Sequence, residues 1–157
     1  MKKKLIILIG PKGSGKSSIG VIIEQKTHIK FLRVEPIWLS LKPEEDGWQR
    51  VAAEIDRQFQ ENETVMIESL GVGEGFDKLH TSLKERYEVK LVKVEADLAL
   101  CLSRVKNRDS SNHIPVSDDK VEEYNRIAVK VSHAWDAIID NNEPATEAEI
   151  LEIIASV

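Results

Sequence analysis

Gly10-Pro11-Lys12-Gly13-Ser14-Gly15-Lys16-Ser17 matches the phosphate-binding pattern G-x-x-x-x-G-K-[ST], with an apolar run at 5–9 before it and a helix-compatible run after it. A glycine-rich loop turns successive backbone N–H groups inward as a nest for phosphate oxygens, and the next helix adds its positive N-terminal end. Lys16 supplies a mobile charge for the β and γ phosphates, and Ser17 places its hydroxyl on a magnesium ion, with Ser18 continuing the binding stretch. The motif implies a bound nucleoside triphosphate with Mg2+.

Working outward, residues 5–9 read as a strand covered on both faces, and 16–26 as a helix with Ile19, Ile22 and Ile23 inward. Residues 30–34 read as a second strand ending at Glu35-Pro36, where proline stops regular pairing. A helix over 43–60 carries an apolar stripe of Trp48, Val51, Ala52, Ile55 and Phe59. A third strand at 64–68 leads through Gly71, Gly73 and Gly75 into a short helix ending near Arg86, and 89–94 is a fourth strand. A helix over 97–108 precedes the polar run at 109–113. Ser117 caps a helix to about Ser132, 137–139 forms a fifth strand, and Thr146-Glu147-Ala148-Glu149 is a capping box opening the last helix. Alternating strands and helices imply an α/β fold, a parallel sheet with right-handed crossovers and ligands at the carboxyl ends of its strands.

The 157 residues, 41% hydrophobic and 31% charged, suit a single domain, 1–157, with a core that needs no staples. A lone cysteine, Cys101, excludes an internal disulfide and a cysteine-based metal cluster, and suits a cytoplasmic setting; in its apolar helical run it reads as core. The start Met1-Lys2-Lys3-Lys4 with residues 5–9 imitates a secretory signal but lacks its length and cleavage site, and no run approaches a membrane span. A net charge of −5 argues against a broad duplex nucleic-acid footprint.

The phosphate loop, the acids Glu35 and Glu68 after the second and third strands, and Arg104-Val105-Lys106-Asn107-Arg108 before a polar stretch together resemble the small P-loop kinases. That group includes shikimate and gluconate kinases, polynucleotide 5′-hydroxyl kinases and nucleoside monophosphate kinases, and the resemblance spans nearly the whole chain. It implies a three-layer P-loop fold with a five-stranded parallel sheet, the third strand beside the first, and a short lid over about 108–117. It also implies phosphoryl transfer from ATP. Phosphoryl transfer needs positioning and charge neutralisation more than covalent chemistry, in keeping with these residues.

Arg104 and Arg108, at i and i+4 on one helix face, can reach one polyanion together; a solvated basic helix end is the alternative. Glu35 resembles the acid, more often Asp, that takes the proton of the attacking hydroxyl or holds the acceptor. Glu68 stands where the fold usually offers an Asp to magnesium, and either metal support or acceptor binding fits it. The segment 35–64 is the expected acceptor site. Trp48 reads as core from its spacing, and Trp38 fits either a core or an acceptor-stacking role. His113 in the lid reads as a solvated loop residue, and His28, His80 and His133 share no metal-ligand spacing. The turn at 140–142 is expected to border adenine. The expected activity moves the γ-phosphoryl of ATP to a hydroxyl or phosphate of a small metabolite or nucleotide. A nucleic-acid 5′ end is one alternative acceptor, and a nucleotide-dependent ATPase or switch acting through a protein partner is another reading.

Overall fold

The structure, a computed structural model, describes residues 2–107 and 117–157. Arg108, His113 and all of the expected lid except Ser117 lie outside the described residues.

Five parallel strands form one sheet in the order β2-β3-β1-β4-β5: β1 (Lys4–Ile9), β2 (Lys30–Phe31), β3 (Thr64–Ser69), β4 (Glu88–Glu95) and β5 (Ala137–Asp140). β1 lies at the centre, with Leu8 opposite Glu68 of β3 and Val92 of β4. Leu5, Ile6, Ile7, Leu8 and Ile9 are all buried, as a strand with helices on both faces requires. Their alternation sorts them into two cores. Leu5, Ile7 and Ile9 pack with residues of α3 (Gly47–Gln58) and α4 (Glu74–Arg86), among them Val51, Ile55, Phe76 and Leu83. Ile6 and Leu8 pack with Ile19 and Ile23 of α1 (Lys16–Lys26) and Ile150 and Ile154 of α7 (Glu147–Ala155). Period-two chemistry in one strand thus builds the three layers.

The second strand is shorter than its sequence suggests. β2 pairs only Lys30 and Phe31 with Val65 and Met66, and Leu32 adds one further bond, from its N–H to the Met66 carbonyl at 2.8 Å. Glu35 does not end a strand; it opens α2 (Glu35–Leu39), with Pro36 in the first turn. Proline there gives up no intrahelical bond and its fixed φ suits a helix start, so Pro36 begins a helix as well as ending pairing. α3 also starts later than expected, because the Asp46 carboxylate accepts from the N–H groups of Trp48 at 3.0 Å and Gln49 at 3.4 Å. Ser117 caps α6 (Asp118–Ala128), which ends short of Ser132, and Thr146 caps α7 through the Glu149 N–H. α5 (Leu98–Asn107) follows β4 and packs beside α6.

Candidate active site

The carboxyl ends of β1 and β3 place the polar groups together. Residues 10–15 connect β1 to α1, and Gly13 and Gly15 have φ of +85° and +103°, which favour glycine. Space matters there as well. A Cβ on Gly13 would stand 2.2 Å from the Cys101 carbonyl oxygen, and one on Gly15 2.2 Å from Asn141 Nδ2. The loop is therefore pressed against α5 and the turn after β5.

Three side chains brace its backbone. Arg104 donates to the carbonyls of Gly13 and Ser14, both at 3.3 Å, and of Asn141 at 2.7 Å. Asn141 Nδ2 donates to the Ser14 carbonyl at 2.7 Å. Asn125 of α6 is almost fully buried and grips Lys12 from both sides: its Oδ1 accepts from the Lys12 N–H at 2.7 Å and its Nδ2 donates to the Lys12 carbonyl at 3.0 Å. Sequence reasoning passed over Asn125, since a single amide in an amphipathic helix carries no local signal of a partner more than a hundred residues away. Asn141 was foreseen only as part of a turn bordering adenine. Cys101 lies in the core beneath the loop, and burial raises its thiol pKa, so it stays protonated there.

Lys16 is buried and folds back to donate to the carbonyls of Gly10 at 2.6 Å and Pro11 at 2.8 Å. Burial pulls its pKa down to about 8, against the attraction of Glu68 and Glu35 and with a smaller push from Lys12. A triphosphate in the nest offers this ammonium a better partner than two carbonyls.

Ser17 Oγ donates to Glu68 Oε2 at 2.8 Å, joining the first turn of α1 to the end of β3. Glu68 is 4% exposed, and its other oxygen, Oε1, has no hydrogen-bond partner. A buried carboxylate with an oxygen to spare beside a hydroxyl suits a hard, oxygen-seeking cation. Among the described residues no three His, Cys, Asp or Glu side chains gather as a metal cage. That donor set fits Mg2+, which takes one or two protein oxygens and completes its shell with water and phosphate.

These groups open into one cavity of about 500 Å3. One side is the loop with Ser17, Ser18 and Arg104; the other comes from α2, α3 and α4 and includes Trp38, Trp48 and Phe76, and Glu35 and Glu68 also line it. The structure thus brings Lys12, Gly13, Gly15, Lys16, Ser17, Ser18, Glu35, Glu68 and Arg104 to one cavity. Ser14 instead turns its hydroxyl into the protein, where Oγ is buried without a partner. Trp48, expected in the core, is half-buried: it packs against the core and also shares the cavity wall with Trp38. His80 and His133, unconnected in sequence, have ring centroids 6.2 Å apart, and both rings contact Phe76. Burial lowers the His80 pKa, with Lys84 and His133 adding to the effect.

No protein-family model matches the chain, and no curated protein matches it. Solved structures do match. The shikimate kinase of Acinetobacter baumannii, determined in complex with shikimate, is similar with a TM-score of 0.66 and 17% identity over 98% of this chain and 92% of that one. The tunicamycin resistance protein of Deinococcus radiodurans matches with a TM-score of 0.68 and 17% identity, over 98% and 95% of the two chains. A chain of the Pnkp1/Rnl/Hen1 RNA repair complex matches with a TM-score of 0.67 and 17% identity over 82% of this chain, which spans only 44% of that one. At such identities the likeness is one of fold. With its five-stranded parallel sheet flanked by helices and a phosphate loop between β1 and α1, the chain has the fold of the small P-loop kinases.

Proposed function

We propose that the protein is an ATP-dependent phosphotransferase acting on a small molecule. The observation that carries this reading is the extent of the cavity. Beyond Lys16, Ser17 and Glu68 it continues past Glu35 into a chamber between α2, α3 and α4. A hydrolase needs room there for one water; a chamber of this kind suits a second substrate.

In this reading the loop N–H groups and Lys16 hold the triphosphate, and Lys16 follows charge as it develops on the transferred group. Ser17 and Glu68 would hold Mg2+, which when bound neutralises phosphate charge. Glu35, close enough to act on the Lys16 charge, orients the acceptor hydroxyl and takes its proton. Arg104 is a positioning residue: its hydrogen bonds to three carbonyls hold the loop in shape. Arg108 is assigned to phosphate contact by its place one turn beyond Arg104, and residues 108–117 to a lid. The acceptor segment is 35–64, with walls added by α4. A net charge of −5 and a walled chamber favour a small acceptor over a nucleic-acid end. The lone buried Cys101 suits a cytoplasmic setting.

The test is ATP consumption in Mg2+ across a panel of hydroxyl and phosphate acceptors. One acceptor should raise turnover by orders of magnitude over basal hydrolysis, and Lys16→Ala should abolish the gain. If all acceptors leave the basal rate unchanged and a protein partner raises it, the protein is a nucleotide switch instead.

A further inference from the structure

The chamber wall away from the phosphate loop is formed by Val34, Trp38, Trp48, Val51, Phe76 and Leu79. Among the described residues, the cations lining the cavity are Lys12, Lys16 and Arg104, all in the loop, at the start of α1 or in α5. Arg33 precedes the wall in sequence but does not line it. Among the described residues the far side therefore lines the cavity with no cation, and desolvating a carboxylate or phosphate against that wall is unfavourable.

The two indoles are built into place. Trp38 and Trp48 meet edge to face with ring centroids 5.1 Å apart and planes at 81°. A Cβ on Gly47 of α3 would stand 2.0 Å from Trp38 Cζ3, and one on Gly75 of α4 2.3 Å from Trp48 Nε1. Each ring lies directly on helix backbone, where a side chain other than hydrogen would displace it. Both glycines stand in the first turn of their helices, where the missing side chain leaves room for the rings. A rigid aromatic corner beside apolar walls recognises a flat ring through stacking and exclusion of water.

We propose, resting on the phosphotransferase reading, that the acceptor is a neutral molecule with a flat aromatic or heteroaromatic ring and an alcohol, not an anionic metabolite. Its ring packs against Trp38 and Trp48, and its hydroxyl lies between Glu35 and the γ-phosphate. The hydroxyl oxygen forms the new bond to γ-phosphorus and the bond from that phosphorus to the β,γ-bridging oxygen breaks. ADP leaves with the electron pair, and the hydroxyl proton passes to the Glu35 carboxylate. A nucleoside and a simple aryl alcohol both present this chemistry.

The experiment uses the full chain with Mg2+ and ATP, scoring ADP formation and labelled product. Adenosine, thymidine and 2-phenylethanol form the neutral arms; shikimate, gluconate and uridine monophosphate form the anionic arm. At least one neutral arm should raise turnover about 100-fold or more over hydrolysis, as expected for an oriented acceptor, and the anions should not. Nucleosides and the aryl alcohol separate the two sources. Trp38→Ala and Trp48→Ala should raise the acceptor KM roughly five- to 150-fold, the range that loss of one stacking partner spans, with kcat and ATP Kd little changed. Trp38→Phe and Trp48→Phe keep a ring and a filled core, and should retain most of the affinity. Transfer to an anionic acceptor but to no neutral one overturns this proposal and leaves the phosphotransferase reading standing. Basal hydrolysis with every acceptor, neutral or anionic, removes both.

Discussion

Raising the pH from 7 to 9 should weaken ATP binding to this protein by about tenfold, because Lys16 is protonated in the complex but loses its proton near pH 8 in the free protein. The apparent Kd then grows by the factor 1 + 10 raised to the power (pH − 8), about 1.1 at pH 7 and about 11 at pH 9, while triphosphate keeps the bound ammonium charged. Stability of the free protein moves the other way. The folded pKa of Lys16 lies below the ordinary 10.5, so between about pH 8 and 10.5 the unfolded chain binds more protons at this site. This group's contribution therefore rises with pH across that window, by about 3 kcal/mol in total. Lys16→Met isolates both effects: the variant should bind ATP weakly with little pH dependence, and its stability should lack the wild-type rise. Calorimetric titration of ATP at pH 7, 8 and 9, with denaturant unfolding of both proteins, reads the two quantities. An ATP Kd that stays level from pH 7 to 9 in the wild type would refute the buried-ammonium argument, whatever the absolute affinity.

Glu35→Gln keeps the shape of the side chain and removes the base, so kcat should fall by about 100- to 10,000-fold while ATP Kd stays within about twofold; an equal loss in both would remove Glu35 from proton transfer. Glu68→Gln preserves a hydrogen-bond acceptor for Ser17 and loses the charge facing the cation. It should shift the Mg2+ dependence of turnover upward by about tenfold or more, and an unchanged Mg2+ titration would count against metal support. Asn125→Ala strips both partners from the Lys12 backbone and should cost about 1–3 kcal/mol in denaturant unfolding. It should also weaken ATP binding, because the loop loses a brace; loss of stability with intact ATP affinity would limit Asn125 to a structural role.

The phosphate loop, the central strand and the α/β class were legible because each is a local pattern. Five consecutive apolar residues followed by a glycine-rich turn and a helix constrain backbone and burial within a short window. Boundaries were legible where a cap spoke for itself, as at Ser117 and Thr146. They were misjudged where two signals competed. Pro36 ends strand pairing and starts a helix equally well, and only the turn of the chain after Phe31 selected the second role for Glu35 and Pro36. Lys16, Ser17, Glu35, Glu68 and Arg104, each singled out from its own local pattern, line one cavity.

What each residue touches was another matter. Arg104 of α5 donates to carbonyls of the phosphate loop, Asn125 clamps Lys12, and Trp48, still packed against the core, meets Trp38 edge to face. These pairings join residues from ten to more than a hundred positions apart, and they form only when the helices pack around the sheet of order 2-3-1-4-5. The sequence by itself determined that a glycine-rich phosphate-loop nest sits after a buried strand, because the nest is backbone geometry set by local glycines. Tertiary structure alone decided how that nest is braced and what kind of chamber faces it, because those depend on side chains that become neighbours only when distant helices pack against the same sheet.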